Sequence, residues 1–267
     1  MNALALYARY ASASLRAQAQ YPTATIMLTF GHCAATAIEI LCVSALFDRF
    51  GSVGGWSFGE AALFYALVNM TFSLADLLTR GFEVFGTDFV RTGAFDRVLL
   101  RPRAAALQLA GHEVRLSRLG RFAQAFAVLI LATALVPIDW HAATVAMAVW
   151  AIAGGVALFA GILVLQATLA FWTVESLEIV NVLTYGGVQA AQYPLNIYAA
   201  WFRRLLTFGV PLACVAYYPV LAILKRPDPL GAPDWLLPVA PIAGFAFLGL
   251  SFLAWRAGMA RYASTGS

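Results

Sequence analysis

Apolar segments long enough to cross a lipid bilayer recur along almost the whole of this chain, and they fix what it can fold into. A hydrocarbon core about 30 Å thick takes about 20 apolar residues of helix per crossing. Such runs lie near residues 22–47, 58–78, 116–136, 142–171, 177–191 and 236–254, and a further one covers 205–224. Hydrophobic residues make up 62% of the chain and charged residues 11%, against about 25% charged in a soluble domain. The expectation is an all-α polytopic membrane protein with six transmembrane helices, folded as one domain over residues 1–267.

The flanks of these segments carry the topology. Residues 1–20 read as a helix lying in the membrane interface, with Leu4, Tyr7, Ala11 and Leu15 on one face and Arg9, Arg16 and Gln20 on the other; Gln18 interrupts the apolar face. The apolar run after Arg16 exceeds the h-region of a secretory signal, so the first span is expected to stay in the protein. Residues 80–121 form a polar block with eight of the seventeen basic residues, whereas the connection 137–141 has none. Because Lys and Arg mark the cytoplasmic side, the block and both termini are expected inside and the short connection outside.

The run 205–224 contains Pro211 and Pro219. Twelve basic residues fall inside and five outside whether it crosses or turns back, so charge does not choose. Each proline removes a backbone donor in a solvent that cannot replace it, which favours a broken, re-entrant outer hairpin over 193–224, between spans five and six. The net charge of +4 does not indicate nucleic acid, because the arginines gather beside apolar segments and Lys225 is the one lysine.

Within the apolar segments, polar residues recur at helical spacing. Thr25, Thr29, His32, Thr36 and Glu39 follow steps of four, three, four and three along the first span. Tyr65, Asn69, Ser73, Asp76 and Arg80 do so along the second, the last two at the i,i+4 spacing of an ion pair. The fifth carries Glu178, Asn181, Tyr185, Gln189 and Gln192. Polar groups in lipid are costly and face protein or water. Two readings stay open: a hydrated, mildly acidic solute path charged by Glu39 and Glu178, or helix contacts bridged by hydroxyls and amides. Gly154, Gly155 and Gly161 permit close helix approach, within the chain or at a dimer face.

Catalytic patterns are missing from the sequence. His32, His112 and His141 are scattered, Cys33, Cys42 and Cys214 lie in apolar runs without C-x-x-C spacing, and neither a metal site nor a disulfide framework is indicated. There is no G-x-x-x-x-G-K-[ST] loop to cradle nucleotide phosphates. A transporter driven by ATP would therefore keep ATP and Mg on another subunit. In the polar block, residues 93–102 read GAFDRVLLRP, a short helix candidate with Phe95, Leu99 and Leu100 as apolar anchors among Asp96, Arg97 and Arg101.

These strings, with FWTVESLEIVN before the fifth span, YPLNIYAAWFRRLLTFGVPLACVAYYP after it, PDPLG, and the ending RYASTGS, occur in an order that resembles the membrane subunits of bacterial type-2 ATP-binding-cassette (ABC) exporters over nearly the whole chain. The resemblance implies a permease of the inner membrane, paired with a second permease of the same or a related chain, bound to two ATPase subunits and exporting its solute. It makes residues 94–100 a coupling helix, with Phe95, Asp96, Arg97, Leu99, Leu100, Arg101 and Pro102 facing the ATPase; from their place at the short turn before the fifth span, Glu175 and Glu178 read as a second contact for a basic partner surface. The second contact competes with a plain role for these two acids at a helix N-terminus. It also makes 193–219 an outer gate lined by Tyr193, Pro194, Tyr217, Tyr218 and Pro219. The rival reading is an ion- or proton-coupled secondary carrier using Glu39, Asp76 and Glu178, for which inverted repeats are expected and none is evident.

Overall fold

The computed structural model describes residues 3–173 and 177–262. Its helices are α1 (Ala3–Ala19), α2 (Pro22–Phe50), α3 (Phe58–Glu83), α4 (Ala94–Leu99), α5 (Ala105–Ala110), α6 (Arg118–Leu135), α7 (Ala142–Leu169), α8 (Leu177–Ala191), α9 (Ala200–Arg204), α10 (Leu212–Val215), α11 (Tyr217–Leu224), α12 (Leu236–Val239) and α13 (Ile242–Met259). Among the described residues there is no strand, and an all-α polytopic membrane fold results. Helices α2, α3, α6 and α7, and α13 together with α12, are each long and apolar enough to span a bilayer. Helix α8, with 15 residues, rises only about 22 Å at about 1.5 Å per residue.

Contacts sort the connections onto two ends of the bundle. At the basic end lie α1, α4, α5 and the last turns of α3, α7 and α13: Phe82, Phe85, Phe95, Phe171, Trp255 and Tyr262 share one aromatic cluster there. At the opposite end lie the α2–α3 loop and the α6–α7 turn, where Gly59 packs against Val136. The chain crosses between the ends along α2, α3, α6, α7, α8 and α13, so α1 and the last turn of α13 share an end, as the six-span expectation requires.

The awkward run is settled by its two edges. Before it, Asn196 accepts from Trp56 Nε1 at 2.9 Å and donates to Gly54 O at 3.1 Å. After it, Arg226 pairs with Glu60 at 3.0 Å and donates to Gly55 O, and its guanidinium stands over the Trp56 ring. Lys225 bonds Asp139 in the α6–α7 turn at 3.0 Å and holds that carboxyl below its ordinary range. Residues 196 and 226 thus grip the same loop, and the segment between them enters and leaves by one end. Its two halves, Ala200–Gly209 and Leu212–Leu224, bend by 71°, with the break at Pro211.

Local rules set the element ends. Ser57 and Glu60 form a reciprocal capping box that starts α3. Near its other end Thr79 leaves helical geometry (φ −132°, ψ 16°) while its hydroxyl bonds Ala75 O at 2.6 Å, a back-bond that bends helices. A π-helical stretch, Phe85–Val90, continues the chain, and Gly93 at φ 67° turns it into α4. The sequence places this whole stretch in a polar loop. Instead α3 runs on past Arg80, and the block folds into α4, α5 and the first turns of α6.

Helix α1 lies under the bundle as expected, and Gln18, which breaks its apolar face, has a role. The Gln18 amide donates to Val114 O and accepts from Leu116 N, and Ser14 brackets Val114 from the other side. Both side chains satisfy the non-helical backbone around Val114 and Leu116 before α6. Gly154 and Gly161 face α13, and Gly155 faces Thr71 of α3. These glycines are spent inside the protomer, which corrects the suggestion of a dimer face on α7.

Candidate functional site

Helix α4 hangs beneath the basic end on an aromatic peg. Phe95 is 0% exposed. Its ring meets Phe85 at 4.9 Å, Tyr262 at 5.0 Å and Phe171 at 5.6 Å. The expectation that Phe95 is an apolar anchor for a partner is therefore corrected. In a six-residue helix that joins the ends of α3, α7 and α13, the largest apolar side chain is drawn into the nearest core. Val98 is buried with it, whereas Arg97, Leu99, Leu100, Arg101 and Pro102 lie on the exposed side, Leu100 at 84% exposure. Asp96 is half-buried and engaged. From behind, Gln108 of α5 donates to Val98 O and Arg103 O, each at 3.2 Å, and Arg101 donates to the Tyr10 hydroxyl of α1 at 3.1 Å.

A motion of α4 is thus tied to α1, α3, α5, α7 and α13 together. Its exposed rim of two leucines among arginines is what a soluble partner with an apolar, acid-edged cleft would hold.

The polar stripes of α2 and α3 meet each other, with α6 closing the third side. Tyr65 donates to Thr36 O at 2.6 Å and reaches Glu39 at 3.5 Å, while Gln124 donates to Thr36 O. Asn69 donates to Tyr65 O and accepts from Arg121 Nε at 2.8 Å, and the Arg121 guanidinium stands 4.9 Å above the Phe72 ring. Thr29 bonds its own helix at Thr25 O, and its carbonyl abuts Gly120. His32 lies on the same face, within electrostatic reach of Arg118 and Asp76.

Toward the basic end Asp76, 0% exposed, takes Arg80 at 3.1 Å and Arg118 at 2.6 Å on its two oxygens. Arg80 continues to Glu83 at 2.6 Å, and Tyr185 of α8 donates to Glu83 at 3.1 Å. The expected Asp76–Arg80 pair is present. Among the described residues the acids are matched by arginines, since Glu39, Asp76 and Glu83 share their surroundings with Arg80, Arg118 and Arg121, while the side chain of Glu178, the other acid expected on the path, lies outside them.

Sequence reasoning missed Arg118, Arg121 and Glu83 as members of this network, since it assigned the two arginines to a basic loop. The signal was there: Arg118, Arg121 and Gln124 step by threes along the first turns of α6. Thr36 and Asn69 act as helix contacts. Glu39, Tyr185 and Gln189 stay on an open flank, where Gln189 reaches Glu39 at 3.5 Å across α2 and α8. Asn181 and Glu178 are on α8, but their side chains, like Glu175, lie outside the described residues.

At the opposite end the suggested gate lining needs correction. Tyr217, Tyr218, Pro194 and Pro219 are buried within the protomer, and only Tyr193 is partly open. Tyr217 stacks on Phe64 at 6.1 Å and donates to Asp228 at 2.7 Å, while Asp228 accepts from the backbone of Leu230 and Ala232. The re-entrant hairpin turns its tyrosines inward because their rings fill the space a bent helix leaves, and because a buried phenol finds a carboxylate there.

Five helices long and apolar enough to span a bilayer, the shorter α8 beside them, polar faces turned to one another and a short helix pegged under one end define a multi-pass membrane protein. A family model described as "ABC-2 family transporter protein" matches residues 33–266. The chain belongs to that family, and is a permease of ABC type. No curated protein and no solved structure compared with it matches.

Proposed function

We propose that the protein is the permease subunit of an ATP-driven exporter, paired with a second permease and coupled to two ATPase subunits through α4. The observation that carries this reading is the division of α4 into a buried peg, Phe95 and Val98, and an exposed rim, Arg97, Leu99, Leu100 and Arg101. A loop that served only to hold positive charge inside would need no such peg. With the basic end cytoplasmic, closure of the ATPases on ATP would push α4, and the peg would pass the motion to α3, α7 and α13 as a rigid-body change. The open flank that carries Glu39, Tyr185 and Gln189, with the exposed Val182 one turn from Tyr185 on α8, would then meet the second permease and enclose the path between the two.

The test is reconstitution with the cognate ATPase. Leu99→Ser together with Leu100→Ser is expected to lower ATPase association by about tenfold or more, since buried interface anchors contribute about 1–2 kcal/mol each. The variant should keep the elution and melting behaviour of the native permease, because neither side chain is part of the core. Unchanged association and unchanged hydrolysis would remove α4 from the coupling role.

Glu39→Gln is expected to change the transport rate or its pH dependence while folded protein still accumulates, because among the described residues Glu39 accepts only long contacts, from Tyr65 and Gln189 at 3.5 Å. Native export by that variant takes Glu39 off the path. The secondary-carrier reading fares worse: both Asp76 oxygens are held by arginines, which leaves neither to a travelling ion.

A further inference from the structure

Against the flank of α4 that carries Ala94, Arg97, Val98 and Arg101, a cavity of about 330 Å³ opens between four elements of the basic end. Tyr10 of α1, Asp88 of the π-helical stretch, Arg97 and Arg101 of the α4 region, Gln108 of α5 and His112 line it. Neither arginine has a carboxylate partner among the described residues. At the back, Gln108 is 4% exposed. Its amide nitrogen is committed to Val98 O and Arg103 O, which fixes the amide orientation, and its oxygen has no partner among the described residues. The site therefore offers, on one side, two cations without a carboxylate partner among the described residues, Arg101 with one nitrogen on Tyr10, and, on the other, two acceptors: the unpartnered Gln108 oxygen and the exposed Asp88 carboxylate, one oxygen of which accepts from Thr87.

Depth says what reaches it. Tyr7, one helical turn before Tyr10, donates to Leu78 O at 3.2 Å, where the apolar stretch of α3 ends. The cavity consequently lies at the level of the membrane interface, beside a helix that itself lies in that interface. Phosphates are bound there at high local concentration, as lipid headgroups.

We propose that this cavity holds the headgroup of one phospholipid, its phosphate on Arg97 and Arg101 and its terminal ammonium or hydroxyl donating to Gln108 and Asp88. Phosphate on paired guanidiniums is the strong, charge-assisted contact, and the donor end supplies selectivity. Ethanolamine and glycerol headgroups carry such a donor. Choline does not, and its three methyl groups would face a buried, unpaired oxygen. A headgroup seated here ties α1 to α4, so its presence would bias the position of the coupling helix. That consequence rests on the proposed coupling role of α4, whereas the binding itself does not.

The experiment uses the purified permease without ATPase, in native mass spectrometry and in nanodiscs of phosphatidylethanolamine, phosphatidylglycerol or phosphatidylcholine. One tightly retained copy of either donor-bearing lipid is expected per chain, with phosphatidylcholine about tenfold weaker. Arg97→Gln with Arg101→Gln should lower retention by about tenfold or more, the loss of about 1.4 kcal/mol or more. Ala94→Phe, which fills the cavity from α4, should do the same if the arginine variant proves unstable. Equal retention of all three lipids, or indifference of both variants, overturns the proposal. So does saturation by soluble glycerol phosphate with no lipid retained, which would assign the site to a free ester. Loss of ATPase coupling with binding intact would touch only the coupling reading.

Discussion

Asp76→Ala is expected to be among the most damaging single changes in the protein, and to act on folding before transport. It strands two buried arginines, Arg118 with nothing in exchange and Arg80 with Glu83 alone. Removing one partner of a buried ion pair costs about 3–5 kcal/mol, because the remaining charge stays desolvated and unpaired. The measurement is the melting midpoint and the monodisperse yield in detergent, where both should fall sharply. Asp76→Ala with Arg118→Met should recover part of the loss, since replacing both members of such a pair by apolar groups is often close to neutral. If the double variant is no better than the single one, the ion pair is not what holds α3 to α6.

The second large effect concerns α7 and α13, the most extensive helix pairing in the bundle. A Cβ on Gly244 would run into the carbonyl oxygen of Gly154, and a Cβ on Gly154 would come within 2.6 Å of Pro241 O. The obstacle is backbone on both sides, which cannot swing away as a side chain can. Gly244→Val should force the helices apart, with a loss at or above the upper end of the usual overpacking cost of about 1–3 kcal/mol. Gly249, on the same helix, has nothing within 4 Å of its would-be Cβ. Gly249→Ala should therefore be harmless or slightly stabilising, as alanine outranks glycine in a helix by about 1 kcal/mol. Comparable losses in the two variants would mean that the α7–α13 crossing is not close-packed at Gly244.

Much of the architecture was legible beforehand. The spans, the interfacial α1, the short helix at residues 94–99 and the inward-turned polar stripes of α2 and α3 all follow from length and periodicity. The re-entrant hairpin followed from Pro211 and Pro219, although charge could not decide it, and the grip of Asn196 and Arg226 on the Gly54–Glu60 loop then fixed it. The functional residues were read less well. Phe95 has the composition of a docking anchor and is instead the peg that holds the docking helix; Tyr217 has the composition of a gate and is instead core. Arg118 and Arg121 looked like topology signals in a loop and are the counter-charges of the polar interior.

By itself, the sequence determined which segments can cross, which end is basic, and which side of each helix is polar, because lipid imposes a fixed span length and penalises every unpaired polar group. Only the tertiary structure decided what each apolar face meets. Lipid tails and a packed helix neighbour are equally apolar, so no pattern of leucines, phenylalanines and glycines distinguishes a surface turned to the membrane, to another helix or to a partner until the helices are set against one another.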